Sequence, residues 1–202
     1  MEVISFEKFA LTEEDIQGGV LGSEMASGPR SDGLHLSSVI RYMSVRAKKY
    51  KNKPEPTSWY REVGFVWEMM LESVFKHRMK HHRRDRVHQL SFERDGIHMT
   101  PDGIVFEPGV EYIEEYKATW RSMKYLGGPP DYTEFASEFH DWHVQTMGYC
   151  RAAKVNRCDF YILFINGDYQ PMVPDACHIQ MHYTDIEMEE NWEMVLRNSK
   201  EL

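Results

Sequence analysis

Between residues 59 and 74 apolar side chains recur at helical spacing: Trp59, Val63, Val66, Trp67, Met70 and Val74. The spacing predicts a helix that starts near Ser58 as N-cap and runs to about Lys80. Gly64, Glu68 and Glu72 lie four apart, on one face beside that stripe. Glycine there permits close approach by another backbone, at some cost in helix propensity. A shorter helix is expected over residues 37–49. Strand-like runs follow: residues 87–93 alternate, and residues 103–107 and 112–117 are rich in β-formers on either side of a Pro108-Gly109 turn. After a polar loop at 127–131, Asp131 and Glu134 resemble a capping box. They open a second long helix to about Lys154, with Phe135, Phe139, Trp142 and Thr146 inward. Residues 159–166 form the near-continuous apolar run of a central strand, and Gly167-Asp168 is a turn. Residues 177–183 read as a further strand and 186–196 as a closing amphipathic helix. Helix, strands, helix, strand is the order of a mixed α/β sandwich.

Glycines at 18, 19, 22, 28 and 33 mark residues 12–33 as a loop or connector, and Pro54 and Pro56 break the chain again. The expected organisation is an N-terminal segment, 1–35, partly loop, and a single domain over 36–202. A length of 202 residues suits one domain with a sizeable core. Hydrophobic residues at 42% argue against a disordered chain. No apolar run approaches the roughly 18 residues that span a bilayer, and residues 1–9 lack the pattern of a signal peptide. The expectation is a cytoplasmic protein without a membrane partner. Cys150, Cys158 and Cys177 make no CxxC pair and read as inert thiols.

The net charge of −8 argues against a protein that coats nucleic acid. The positive charge is clustered, however, in Arg41, Arg46, Lys48, Lys49, Lys51 and Lys53, and again in Lys76, Arg78, Lys80, Arg83, Arg84 and Arg86. Acid collects toward the C-terminal end, around Asp185, Glu187, Glu189, Glu190 and Glu193. Such asymmetry permits a local basic groove on an acidic protein.

The chemistry-bearing residues lie on three elements: Glu68 on the first long helix, Asp102 at the start of one strand, and Glu115 and Lys117 at the end of the next. Strand alternation turns Glu115 and Lys117 the same way and Tyr116 the other. If the two strands form a hairpin, Asp102 and Glu115 meet at one end of the sheet, within reach of Glu68. Carboxylates suit a hard divalent ion such as Mg²⁺, which supports phosphodiester hydrolysis. A neighbouring lysine stabilises the added negative charge of the transition state. On this reading Asp102, Glu115 and Glu68 are metal ligands, with the Tyr116 backbone carbonyl as another oxygen, and Lys117 is the catalytic cation.

Pro101-Asp102 followed by Glu115-x-Lys117 resembles the motif of the PD-(D/E)xK nuclease superfamily. Gly64-x-x-x-Glu68 is similar to the GxxxE helix motif of phage-type exonucleases, including the YqaJ-like group related to lambda exonuclease. RecB and Cas4 relatives more often carry histidine at that last position. Gln145-x-x-x-Tyr149 resembles the QxxxY motif of the RecB-like branch. All occur in family order, over roughly residues 58–166. The resemblance implies a restriction-endonuclease-like αβββαβ core, with a mixed central sheet flanked by helices. It implies Gln145 and Tyr149 beside the catalytic groups, Mg²⁺ or Mn²⁺ as one or two ions, and DNA as the substrate. Cas4-type nucleases carry four cysteines for an iron–sulfur cluster; with three here, no cluster is expected.

The activity the resemblance implies is a metal-dependent DNA exonuclease acting at ends, single strands included, in phage-type recombination or repair. A recombination or single-strand-binding protein is an expected partner, and host-cell cytoplasm the location if the chain is phage-encoded. An endonuclease on the same scaffold and a non-catalytic nucleic-acid-binding protein are the alternatives. Tyr42, Tyr50, Trp59, Tyr60 and Tyr125 are candidates for stacking on unpaired bases. His77 and His81, four apart, are flanked by arginines and lysines, which favours a basic surface over a zinc pair. Glu72, Glu107, Glu111 and Glu114 read as surface or supporting groups. No GxxxxGK[ST] loop is present, which argues against an ATPase.

Overall fold

The computed structural model describes residues 1–8, 33–47, 66–71, 74, 85–87, 90–107, 109–126, 133–165 and 175–202. Its strands are β1 (Glu2–Lys8), β2 (Leu34–His35), β3 (Asp85–Val87), β4 (Phe92–Arg94), β5 (Ile97–Met99), β6 (Gly103–Glu107), β7 (Val110–Thr119), β8 (Arg157–Phe164) and β9 (Asp175–His182). Its helices are α1 (Leu36–Arg46), α2 (residues 66–71), α3 (Thr133–Glu138), α4 (His140–Ala153) and α5 (Asp185–Ser199). Six strands form one sheet in the order β1-β9-β8-β7-β6-β3, and β2-β5-β4 form a second, small sheet. Among the described strands of the large sheet, β7 and β8 pair in parallel and the other neighbours are antiparallel. That parallel pair requires a crossover, and α3 and α4 supply it.

Strand alternation divides the large sheet into two unlike faces. Ile113, Cys158, Phe160, Ile162, Phe164, Cys177, Ile179 and Met181 point to one face and form the main core with α1, α4 and α5. A β-carbon at Gly148 would stand 2.7 Å from Leu36 Cδ2, so glycine there lets α1 seat closely on α4. The other face carries Tyr116 and Tyr161, which pack with Trp67 and Leu71 of α2. The Trp67 indole N–H donates to the Tyr161 carbonyl at 3.3 Å, which ties α2 to that face. The three cysteines are free and buried, and burial raises all three thiols. Among the described residues no helix is long and apolar enough to cross a membrane.

Several boundaries differ from the sequence expectation. Residues 2–8 belong to the sheet: β1 pairs antiparallel with β9, and Val3 and Phe6 pack against the main core. The register shift between Val3 and Ser5 leaves Ile4 exposed and hides the alternation from a sequence reading. The helix expected over 131–154 is two helices, α3 and α4, divided at Phe139 (φ −114°, ψ 31°). Phe139 is buried, stacks on Trp142 at 4.3 Å and meets Phe135 at 5.5 Å. The run at 87–93 is divided between the two sheets, through β3 and β4. Asp131 lies outside the described residues. The capping box that is present joins Thr184 and Glu187 at the start of α5.

Candidate active site

β6 and β7 form the expected antiparallel hairpin, and their register runs from Glu107↔Val110 to Gly103↔Glu114. β6 therefore ends where β7 continues to Thr119, so β6 does not cover that edge of β7 beyond Glu114. Asp102, the residue before β6, fills that edge: its Oδ2 accepts from the Tyr116 backbone N–H at 2.7 Å. A strand residue directs its N–H and C=O to the same neighbour, so the Tyr116 carbonyl is presented on this same edge. The side chain of Tyr116 points to the α2 face, where its hydroxyl donates to Glu114 Oε2 at 2.9 Å.

Glu115 and Lys117 share the opposite, core-side face of β7. The Lys117 ammonium donates to Glu115 Oε2 at 2.5 Å and to Gln145 Oε1 at 3.1 Å. Gln145, on α4, donates through Nε2 to the Tyr149 hydroxyl at 2.8 Å. The structure thus joins Glu115, Lys117, Gln145 and Tyr149 in one chain of hydrogen bonds, while Asp102 sits at the strand edge beside it.

The electrostatics of this group are those of buried charge. Burial pushes the Glu115 carboxyl up to about 8, against the pull of the Lys117 ammonium and with the push of the Asp102 carboxylate. The Asp102 backbone amide exerts a weaker pull toward the charged form, at a geometry that leaves Oε1 without a hydrogen bond. Burial disfavours the Lys117 charge too, but the Glu115 and Asp102 carboxylates outweigh it and raise its pKa, so the ammonium stays protonated. Glu115 Oε1 is fully buried and has no hydrogen-bond partner. A buried, unpartnered carboxylate oxygen is costly, and a cation beside it removes that cost. An oxygen-donor pair of Asp102 and Glu115, with the Tyr116 carbonyl on the same edge, fits a hard divalent ion.

Glu68 is half-buried on α2, between Trp67 and Leu71, which pack on the Tyr116 and Tyr161 face of the sheet. Among the described residues no three His, Cys, Asp or Glu side chains gather closely enough to hold a metal ion.

Other expectations fall elsewhere. The Tyr42 hydroxyl donates to Glu201 at 2.9 Å, and Arg46 pairs with the same carboxylate, so both contact the chain's own C-terminal end. Tyr50, Trp59, Tyr60, Glu72, His77 and His81 lie outside the described residues, as does most of the second basic cluster; nothing is described of the side chains of Glu107 and Tyr125. Glu111 is exposed and Glu114 buried.

Sequence reasoning missed a polar network on the α2 side of the sheet. Asp159 takes a two-point contact from Arg157 (2.7 and 2.8 Å) and contacts His178 Nε2 at 2.9 Å, while His178 Nδ1 lies 2.8 Å from Glu7. The only signal was period-two spacing of polar residues, 157 with 159 and 178 with 180, on neighbouring strands.

A solved structure shares this arrangement of elements. LHK-Exo in complex with dAMP superposes with a TM-score of 0.50 at 13% identity, over 84% of this chain and 87% of that one. The fold is that of LHK-Exo. A phage related exonuclease from Haemophilus somnus 129PT gives a TM-score of 0.49 at 12% identity, over 81% and 79% of the two chains. A further structure, SSO0001, gives 0.48 at 12% identity, over 85% and 78%. No protein-family model and no curated protein matches the sequence. The likeness to LHK-Exo establishes the mixed α/β architecture that the PD-(D/E)xK resemblance implied.

Proposed function

We propose that this chain is a metal-dependent DNA exonuclease that hydrolyses phosphodiester bonds at DNA ends, single strands included. The observation that carries the reading is the Asp102, Glu115 and Lys117 geometry: an acid pair where β7 runs on past β6, one buried carboxylate oxygen unpartnered, and a protonated lysine beside it. The fold adds support, because LHK-Exo is by its name an exonuclease and is solved with dAMP.

Asp102, Glu115 and the Tyr116 carbonyl would hold Mg²⁺ or Mn²⁺, with Glu68 on α2 as an additional ligand. When bound, the ion supplies Lewis-acid polarisation of the phosphodiester and activation of water. The chain's own residues do the rest. Lys117 places a fixed positive charge where negative charge builds in the transition state. Gln145 holds the lysine by its Oε1, and Tyr149 fixes which end of the Gln145 amide faces it. Recombination or repair of DNA ends is the setting in which such an activity serves, with a single-strand-binding or recombination protein as partner.

The test uses end-labelled single- and double-stranded linear DNA and a closed circle, with Mg²⁺, Mn²⁺ or EDTA. Metal-dependent loss of the linear substrates, abolished in Asp102→Asn and slowed by about 10²–10³-fold in Lys117→Met, is the expected result. Cutting of the closed circle would replace the exonuclease reading with an endonuclease. Absence of cleavage by folded protein in either metal would overturn the nuclease reading.

A further inference from the structure

We infer that β1 is fastened to the sheet by a proton-dependent clasp: the His178 imidazolium joins Glu7 of β1 to Asp159 of β8, and loss of the ring proton releases Glu7 and loosens the second half of β1. The sheet register sets the clasp up. Glu7 on β1, His178 on β9 and Tyr161 on β8 are direct cross-strand neighbours, so their side chains share the α2 face. The His178 ring stacks on that of Tyr161, 4.5 Å between centroids and 6° between planes, which fixes where its two nitrogens point. Nδ1 lies 2.8 Å from Glu7 Oε1, and Nε2 lies 2.9 Å from Asp159 Oδ2. One side chain in the middle strand thus ties the strands on either side of it together.

Both contacts need the charged ring. Imidazolium has two N–H donors, whereas neutral imidazole has one donor and one acceptor. Once the proton leaves, one carboxylate must face a nitrogen lone pair. The Asp159 side chain is 2% exposed and that of Glu7 70%. A buried carboxylate that loses a donor bears the full desolvation cost, while water can take over at Glu7. The remaining N–H therefore stays with Asp159, which Arg157 also holds at 2.7 and 2.8 Å, and the Nδ1 lone pair repels Glu7. Burial opposes the His178 charge, but the hydrogen bonds to Asp159 and Glu7 outweigh it and raise the pKa. The clasp is thus closed below the ordinary value of 6.5 and opens as pH rises through the raised folded value. The register shift between Val3 and Ser5 parts Ser5–Lys8 from the start of β1, which the pair of the Met1 amine with Glu187 holds separately, so the second half can answer by itself. The other charged or titratable groups on the packed elements are Tyr161 on β8, Glu114 on β7, opposite Asp159 and bonded by the Tyr116 hydroxyl, and Glu68 on α2. Further along β9 and β1 stand the cross-strand neighbours His182 and Glu2.

The experiment follows hydrogen–deuterium exchange of the full chain by mass spectrometry from about pH 6 to about pH 9. Rates are divided by those of the unfolded chain at each pH, which leaves protection alone. The peptide covering β1 is expected to lose about 5-fold in protection over that range, the upper end for an ion pair with one exposed partner, while peptides from β8 keep theirs. Glu7→Gln keeps the contact and removes the switch, because its amide can offer an oxygen to a ring N–H or an N–H to a ring lone pair. Its β1 protection should be the same at both ends of the range. His178→Gln should abolish the pH dependence as well; if that variant does not fold, Glu7→Gln, changed at an exposed side chain, still decides. Wild-type β1 protection that does not change with pH, a loss shared equally by β8, or a loss that persists in Glu7→Gln would each overturn the inference.

Discussion

The Lys117 ammonium lies 2.5 Å from Glu115 Oε2, two residues back on the same face of β7. The Glu115 side chain is 1% exposed and that of Lys117 15%, so each is the chief compensation for the other's burial. Removing one partner of a buried pair leaves an uncompensated group, at a cost of about 3–5 kcal/mol. We expect Lys117→Met and Glu115→Gln each to destabilise the protein, and the double variant to cost less than the two together. Urea unfolding of the three variants checks this. Strictly additive losses would show that the two groups do not compensate each other. Cleavage by Lys117→Met should fall by about 10²–10³-fold, as when one preorganised charge donor is lost.

Gln145 stands between that pair and the core. Its amide can face Lys117 either way round, and the Tyr149 hydroxyl, accepting from Nε2, selects the orientation that presents Oε1 to the ammonium. Tyr149→Phe removes the selector while keeping the buried ring. The expected result is a several-fold drop in kcat with little change in KM, on the scale of one neutral hydrogen bond, about 1 kcal/mol. Gln145→Ala should cost more, because the lysine then loses its second acceptor. An unchanged kcat in Tyr149→Phe would mean that Gln145 needs no such hold.

The unpartnered Glu115 Oε1 makes metal binding measurable without any cleavage. A ligand that binds only the folded state raises the melting temperature by mass action. Millimolar Mn²⁺ or Mg²⁺ should raise the Tm of the wild type by several degrees. The rise should vanish in Glu115→Gln, which keeps the shape of the side chain and removes the charge. Differential scanning fluorimetry with and without EDTA reads this directly. An equal Tm rise in wild type and Glu115→Gln would place the ion elsewhere and remove Glu115 from the ligand set.

The hairpin of β6 and β7 was legible because alternation and a Pro-Gly turn agree there, and with it came the common face of Glu115 and Lys117. The contact of Gln145 with Tyr149 was legible because helical spacing sets residues four apart side by side. That Gln145 reaches Lys117 is a tertiary fact, which only the resemblance suggested. Glu68 is a different case. Its helical face was readable, but which side of the sheet α2 covers depends on Trp67 and Leu71 finding Tyr116 and Tyr161. No local pattern encodes that choice. β1 was missed for a similar reason: an irregular edge strand carries little alternation, and its partner lies more than 160 residues away.

His178 offers a pH test of the opposite side of the sheet. Its two ring nitrogens face Asp159 and Glu7 at 2.9 and 2.8 Å, and its ring stacks on Tyr161 at 4.5 Å. Two carboxylate partners are both satisfied only by the imidazolium. Burial opposes that charge, but the hydrogen bonds to Asp159 and Glu7 outweigh it and raise the His178 pKa. Burial likewise opposes the Asp159 charge, and the contacts from His178 and Arg157 outweigh it and lower the Asp159 pKa. The signs define a window. The contribution of His178 is complete below its unfolded value, 6.5, and is lost as pH rises through the raised folded value. That of Asp159 is complete above its unfolded value, 3.8, and is lost as pH falls through the lowered folded value. Both act together between those two unfolded values. We therefore expect His178→Gln to cost about 1.5–3 kcal/mol at pH 5.5, the range for hydrogen bonds to charged groups, and clearly less at pH 9. Urea unfolding of wild type and variant at the two pH values gives the comparison. A stability gap of the same size at both would mean that the histidine is held neutral and acts only by its shape.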